Sequence, residues 1–464
     1  MRILLLLLVF LSGCHAFTPD QAPQPRLPQA YRMEAGASLP AEAWWKDLGS
    51  PELDALMDEA FRSAPDLRTA RARLEQARAA AAKSGAALWP SLTGAGDASQ
   101  SWSKARGRNV VDTDAYGLSL AASYELDLWG RVDALRRADA LAAAAGLEDL
   151  RTAALSLSGE IAQAWISLCS ARRQLDVLKA QQKTNTDIES ALALRFANSL
   201  ASALDVLQQR EAVAETSRRI IDQQAEIVRL ENRLNLLLGK RPGALDLSSA
   251  TDLPRPLDLP DAGLPADLLA NRPDIRSAWQ RVMESGWDVA AAQADRLPAL
   301  RLTGRFEQDG SDVERIFDNW LASLAASLTA PLFDGGSRAA EVRRQEAIRE
   351  ERLAVYEKTV FTALSEVDSG VSDVLRQAEV LDALELQFDA ARSALESARI
   401  RYRNGVLEYD NVLSLLLKVQ QLERSRIQER AALLTLQTGL CRALGRGWRQ
   451  AFPDQTSTTD PEAS

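Results

Sequence analysis

The chain has 464 residues, 46% of them hydrophobic, 26% charged and only 6% aromatic, with a formal net charge of −9. That mixture suits long helices, and the acidic balance gives no global basic footprint for nucleic acid. The single histidine, His15, lies near the N-terminus, which argues against histidine-based metal centres and Ser-His-Asp or Cys-His catalysis. No other set of polar residues recurs with catalytic spacing, so an enzyme is not expected.

The first fourteen residues read MRILLLLLVFLSGC. One basic residue, a short apolar run and small residues before a cut describe a secretory signal over 1–13, too short to span a bilayer as a helix. The LSGC ending resembles a bacterial lipobox, which implies that Cys14 becomes the acylated first residue of the mature chain. His15 in the next position, rather than Asp, is compatible with outer-membrane sorting by the same resemblance. Cys169 and Cys441 fall at non-equivalent places in the repeats described next, and both read as small buried apolar residues rather than as a disulfide.

The sequence is written twice. SAPDLRTARARLEQARAAAAKSGAALWPSLTG (63–94) aligns with NRPDIRSAWQRVMESGWDVAAAQADRLPALRLTG (271–304) at an offset of 208. Further on the offset is 206: Gly130 matches Gly336, Arg195-Phe196 matches Arg401-Tyr402, and Leu238-Gly239 matches Leu444-Gly445. Residues 65–239 and 273–445 are therefore expected to be two copies of one unit. The segment 240–272 between them, rich in Pro, Asp and Gly, reads as a linker. Residues 14–64 form an N-terminal segment and 446–464 a tail.

After Pro90 the pattern alternates. Tyr116, Leu118, Leu120, Ala122, Tyr124, Leu126 and Leu128 point one way, and Gly117, Ser119, Ala121, Ser123, Glu125 and Asp127 the other. That is a period of two. SLTGAGDASQSWS (91–103) precedes it as a partner, giving a β-hairpin over about 90–128. The second copy repeats the pattern over about 299–331: Leu300, Leu302, Gly304 and Phe306 oppose Arg301, Thr303, Arg305 and Glu307, and Trp320, Ala322, Leu324, Ala326 and Leu328 oppose Asn319, Ser323, Ser327 and Thr329. These strands approach the length needed to cross a membrane. Four strands leave two open edges, and open edges do not survive in lipid. The chain must borrow strands from copies of itself, most economically by cyclic symmetry.

Past each hairpin come long proline-free stretches packed with Ala, Leu, Arg, Glu and Gln, which read as long helices. Apolar residues then fall every seven: Val206, Val213, Ile220, Ile227 and Leu234 in the first copy, and Val412, Leu415, Val419, Leu422, Leu433, Leu436 and Leu440 in the second, where Arg426 and Glu429 interrupt. A sustained seven-residue period predicts coiled-coil packing. The repeated phrases RFANSLASALDV and RYRNGVLEYDNV thus mark the tips of two helical hairpins. Gly405 supplies a positive φ at the second tip; at the first, Asn198-Ser199 stand instead, with asparagine the best substitute for glycine. A plain turn does not require the repeated aromatic-basic pair and the acidic cluster of Glu408 and Asp410, so the tips are expected to be functional.

WWKDLGSPELDALMDEAF (44–61), SAPDL (63–67), ALWPSLTG (87–94), YELDLWGRV (124–132), LPADLLANRPDI (264–275), DRLPALRLTG (295–304), APLFDGG (330–336), RYRNG (401–405) and ALGRGW (443–448) together resemble the outer membrane factors of the TolC type, in particular the NodT-like lipoprotein branch of efflux channels. The resemblance covers essentially the whole mature chain. It implies a mostly α fold with a membrane β-hairpin pair, assembled as a homotrimer. The trimer's twelve-stranded β-barrel would be continuous with a twelve-helix periplasmic α-barrel. It implies a passive exit duct for small molecules such as drugs or toxic compounds, in contact with a periplasmic adaptor and an inner-membrane transporter of the RND class. No cofactor is implied beyond the lipid on Cys14. The family's tip motif falls on Arg195, Phe196, Asn198, Ser199 and Leu200, and on Arg401, Tyr402, Gly405 and Val406. Ser199 stands where the family usually has glycine. Asn411 and Ser414 stand where some members carry a constricting ring of aspartates; the acidic residues Glu408 and Asp410 come earlier, and Asp205 is a first-copy candidate. Glu125, Asp127, Arg301, Arg305 and Glu307 are expected to face water inside the barrel, where mixed signs favour a permissive pore. A duct for protein secretion and a pore-free coiled-coil lipoprotein remain as alternatives.

Overall fold

The computed structural model describes residues 17–20, 23, 27–28, 31, 43–247, 252–259 and 265–449. The expected signal segment, Cys14 and the tail beyond 449 lie outside the described residues. The elements run α1 (Pro51–Ser63), α2 (Pro65–Ala86), β1 (Ser91–Ser103), β2 (Val111–Leu126), α3 (Arg131–Ala197), α4 (Ala203–Leu237), α5 (Asp267–Asn271), α6 (Pro273–Ala294), β3 (Ala299–Gly310), β4 (Trp320–Thr329), α7 (Ser337–Arg403) and α8 (Tyr409–Ala443). The halves repeat in kind and length: α2 and α6 have 22 residues each, α3 and α7 have 67, and α4 and α8 have 35. Each long helix lies wholly inside a proline-free stretch, and nothing between Arg131 and Ala197, or between Ser337 and Arg403, breaks the hydrogen-bond ladder.

The chain divides into two compact units. One comprises most of α2, the start of α3, most of α6, the sheet and the start of α7. Its four strands form a single antiparallel sheet in the order β1-β2-β3-β4. The two hairpins are joined because β2 pairs with β3, from Tyr116 opposite Gly310 to Leu126 opposite Leu300. β1 and β4 each keep one unpaired edge. Beside the sheet, Ala134 of α3 and Ala290 and Ala291 of α6 form a small-residue cluster covered by Trp287 and Phe17.

The other unit contains α1, the rest of α3 and α7, and all of α4 and α8. Ser50 caps α1 by accepting from the Leu53 amide at 3.2 Å, and Pro51 takes the first helical position, where a missing N–H costs nothing. Trp44 and Trp45 are buried edge to face, and the Trp44 indole donates to the Arg446 carbonyl at 3.2 Å. The linker carries one short helix, α5, and it is not free chain: Gln437 of α8 donates to the Leu257 carbonyl at 2.6 Å and accepts from its amide at 2.9 Å. Cys169 and Cys441 are both buried free thiols, and burial pushes each up to about 12.

Most of the anticipated heptad residues point inward. Val412, Leu422, Leu433 and Leu440 are buried, while Val206, Val213, Ile220 and Ile227 are half-buried. Arg426 and Glu429 interrupt the stripe because they reach α7. Arg426 pairs with Glu385 at 2.8 Å and lies over the Phe388 ring, and Glu429 accepts from Gln377 at 2.7 Å.

Candidate functional sites: the sheet faces and the helical tips

The register sorts every strand residue onto one of two faces. Leu92, Gly94, Gly96 and Ala98 align with Ala122, Leu120, Leu118 and Tyr116, then with Gly304, Phe306, Gln308 and Gly310, and β4 adds Trp320, Ala322, Leu324, Ala326 and Leu328. This face is apolar on every strand apart from Gln308 of β3. Leu118, Leu120, Leu324 and Leu328 are exposed on it, and Trp320 stacks on Phe306 at 6.2 Å. From Tyr116 to Leu126 the apolar stretch runs for ten steps, about 34 Å of strand. Tilted by about 40°, that spans about 26 Å, the height of the lipid-facing band of a membrane barrel. Beyond Tyr116 the same face turns polar, with Asp112, Asp114 and Gln100. Among the described residues no helix is long and apolar enough to cross a membrane.

The opposite face is small and polar and carries the charges. Glu125 lies opposite Arg301, at 3.6 Å, and Arg131 from the first turn of α3 reaches the same carboxylate at 2.6 Å. Arg305 pairs with Glu307 along β3. Asp97 and Asp309, flanking Gly117 at one level, add two carboxylates that the alternation on β2 did not single out. Asp127 and Leu128 fall past the end of β2. Asp127 instead seats the helix: its carboxylate accepts from the amides of Val132 at 3.0 Å and Asp133 at 2.8 Å. An anion there satisfies orphan donors and suits the helix dipole. Asp334 does the same for α7, accepting from Gly336 at 2.9 Å and Arg338 at 3.1 Å, and these backbone bonds hold its carboxyl below the usual range.

The two tips share one turn. At the first, Leu200 donates to the Arg195 carbonyl at 2.8 Å and Ser199 to Phe196 at 2.9 Å; at the second, Val406 donates to Arg401 and Gly405 to Tyr402, both at 3.0 Å. This crossed pair of bonds is a Schellman ending, which needs one residue at positive φ. That residue is Gly405 (φ 72°) in one copy and Ser199 (φ 60°) in the other, so the strained position falls on the serine and not on Asn198. Asn198 spends its amide on the Leu194 carbonyl, 2.8 Å away. Phe196, Leu200 and Val406 are exposed, as are Glu408 and Asn411. Arg195 lies over the Tyr402 ring at 5.1 Å and also donates to the Leu200 carbonyl. Asp205 is engaged in a capping box with Ser202, 3.0 and 3.1 Å each way, and Asp410 accepts weakly from Gln208 at 3.4 Å.

Behind the tips runs a buried polar chain. The Tyr409 hydroxyl donates to Gln209 at 2.5 Å, and Gln209 donates to the Asn185 carbonyl at 2.7 Å. Asn185 and Gln420 exchange bonds through their amides, and Asn185 also donates to Thr216 at 3.0 Å. Gln181 continues to the Gln420 carbonyl and to Glu423. Asn185 and Gln209 have no solvent exposure. Burial, with Tyr402 and Asp205 nearby, pushes the Tyr409 phenol upward, so it remains a donor at neutral pH. The surrounding seam is apolar, built by Leu192, Leu395, Val412, Leu413 and Leu416.

An apolar sheet face, a charged one, two unpaired edges and twinned coiled-coil tips are the parts of a membrane duct. A sequence profile of the family described as Outer membrane efflux protein matches residues 56–240 and 264–446. The chain belongs to that family. It is 30% identical over 421 residues to the pyoverdine export outer membrane protein OpmQ of Pseudomonas aeruginosa, covering 88% of this chain and 87% of that one. It is also 30% identical over 463 residues to the toluene efflux pump outer membrane protein TtgF of Pseudomonas putida, covering 95% of each. The solved outer-membrane channel OprN superposes with a TM-score of 0.84 at 30% identity, over 92% of this chain and 99% of that one. The protein is therefore an outer membrane efflux channel and not an enzyme.

Besides Asp97 and Asp309, further inward-acting groups carry little signal in the sequence. Arg131 was invisible because it belongs to the helix yet serves the sheet. Gln209 and Thr216 are polar and look like surface positions, although their spacing of seven runs beside the apolar stripe and signals a second inward row.

Proposed function

We propose that three copies assemble into a passive exit duct for small molecules, with a twelve-stranded barrel in the outer membrane continuous with a twelve-helix periplasmic tunnel. The observation that carries this is the four-stranded sheet with one mainly apolar face and two unpaired edges. Each unpaired edge amide or carbonyl facing hydrocarbon would cost several kcal/mol. Neighbouring copies remove every edge at once if β4 of one pairs with β1 of the next. Repeats over 65–239 and 273–445, joined by the 240–272 linker, then each give the ring one β-hairpin and one helical hairpin. Glu125, Arg301, Arg305 and Glu307 line the water-filled interior as opposite-sign pairs, and Asp97 and Asp309 add carboxylates to the same face, a mixed-sign lining that suits a permissive pore.

The tips at Arg195–Leu200 and Arg401–Val406, with Asp205, Glu408, Asp410 and Asn411 beside them, contact a periplasmic adaptor that connects the duct to an inner-membrane transporter of the RND class. Exposed Phe196, Leu200 and Val406 offer the apolar surface for that contact. Efflux of small molecules, as the relatives' names describe for pyoverdine and toluene, is favoured over protein secretion. Cys14 carries the lipid. Phe17 packs on Ala134, one turn into the helix that follows β2, and Arg349 holds the Asp20 carbonyl at 2.8 Å. The described start of the chain thus lies in the sheet-bearing unit, which supports a lipid on Cys14 entering the outer membrane.

The native mass of the full-length protein, extracted from outer membranes in mild detergent without boiling, tests the assembly. A mass near three lipidated chains is expected, with restored resistance to toxic solutes in cells lacking their own channel. A monomer that leaves the membrane when Cys14 is replaced by Ala would overturn the duct in favour of a tethered scaffold.

A further inference from the structure

The helix-side ends of the two free strand edges carry the most conspicuous unsatisfied apolar groups in the sheet-bearing unit. Trp89, just before β1, is 75% exposed; Leu332 and Phe333, just after β4, are each 95% exposed. Neither position is floppy chain. The turn holding Trp89 closes with its amide on the Ala86 carbonyl at 3.1 Å. The Leu332-Phe333 turn is pinned by Asp334, and Arg338 ties it to Asp295 at 2.9 Å. Pro90 and Pro331 flank the two sites; lacking an N–H, each stops ladder formation at that point. Rigid presentation of large apolar groups to nothing lowers the ordering cost of a later contact.

The stagger of the sheet says where that contact lies. Ser91 of β1 is level with Ser123, Thr303 and Ala325 across the ladder. Yet β2 runs on to Leu126, β3 starts at Ala299 and β4 ends at Thr329, three or four residues further toward the helices. β2, β3 and β4 end at nearly one register level, with Leu126 opposite Leu300 and Ala299 opposite Thr329, so the offset falls between β1 and β2, as a stagger between tilted strands does. A neighbour's β1 that starts where the ladder of β4 ends, or a residue or two beyond, sets its Ser91 beside residues at or just past Thr329. It sets that copy's Trp89-Pro90 beside the Leu332-Phe333 turn. β1 and β4 run in opposite directions, so the pairing is antiparallel and both turns emerge at the same end.

We propose that Trp89 of one protomer packs on Leu332 and Phe333 of its neighbour, an apolar clamp that closes the helix-side end of each seam between copies. The clamp rests on the trimer reading and deepens it: the open edges require a neighbour, and the clamp says which side chains lock that neighbour's register. A one-step slip of β1 on β4 would also exchange the apolar and charged faces of the incoming strand. An apolar contact just outside the ladder penalises such slips.

Paired cysteines test it in the full-length lipidated protein in outer membranes: Trp89→Cys with Leu332→Cys, and Trp89→Cys with Phe333→Cys. The native Cys169 and Cys441 do not compete, being buried with thiols pushed up to about 12. Mild oxidation should convert most of the chain into dimers and trimers on a denaturing gel, reversed by reductant. Each single-cysteine parent, and a pair joining Trp102→Cys at the far end of β1 to Leu332→Cys, should stay monomeric. Native trimers in which neither pair cross-links would overturn the clamp while leaving the duct standing. Native monomers would overturn both. As a second readout, Phe333→Ala should lower the temperature at which unboiled trimers fall apart, and Phe333→Leu should restore most of it; equal stability of all three would also refute the clamp.

Discussion

The two helical tips solve one geometric problem with different residues. Both close with the same crossed hydrogen bonds, and both put a residue at positive φ. The second tip uses Gly405, for which that conformation is free of side-chain clash. The first uses Ser199, which carries a Cβ into the left-handed region. The next helix is started differently too. Ser202 and Asp205 form a reciprocal capping box at the head of α4, whereas Glu408 at the head of α8 makes no side-chain cap. The strained turn is thus followed by the better cap. The unstrained turn leans instead on Tyr409, whose hydroxyl reaches across to Gln209 of the other hairpin. Repetition fixed the turn, and the two copies then distributed its stabilisation between local and cross-hairpin bonds.

The largest effect should come from Gly405→Val. A β-branched residue at φ 72° would cost about 2 kcal/mol or more. It should impair efflux in cells while native mass still reports trimers. Normal efflux would remove the functional case for that tip. Next comes Tyr409→Phe, which leaves the Gln209 oxygen buried without its donor, at about 1–2 kcal/mol. Because the bond joins the hairpins, amide exchange should quicken in both; acceleration confined to α8 would mean that the tips are independent. Ser202→Ala removes the cap of α4, worth about 1 kcal/mol, and should speed exchange in its first turn. Glu408→Ala should change its own helix far less. Equal effects would show that the caps are not asymmetric. The smallest change should be Ser199→Gly, a gain of about 0.5–1 kcal/mol from relief of the left-handed strain, net of added unfolded-state freedom. A loss would mean that the serine makes a compensating bond.

Much of this was legible in the chain because periodicity reports local geometry. The alternation over β2, the proline-free stretches of α3 and α7 and the Leu-Gly pairs that close α4 and α8 all follow from which backbone conformations the residues tolerate. Gly445 illustrates the point: its φ is 75°, and a Cβ at that position would fall 2.8 Å from the Asn271 carbonyl oxygen, so glycine alone fits. The failures share a cause as well. Asp127 continues the alternation, yet the strand ends before it, because its carboxylate is drawn to the amides of α3. Gln209, Thr216 and Gln420 look like surface residues until three helices close over them and each bonds to Asn185.

The sequence by itself determined the repeat, the kinds and lengths of the elements, the two faces of each strand and the position of the turns, since all of these depend on contacts only a few residues apart. Tertiary structure alone decided that β2 pairs with β3 to make one sheet. It also decided which residue of the first tip bears the positive φ, which polar residues go inside, and which strands are left with bare edges. Those outcomes depend on groups about two hundred residues or more apart, such as Tyr409 and Gln209 or Asn185 and Gln420, whose meeting no local pattern encodes.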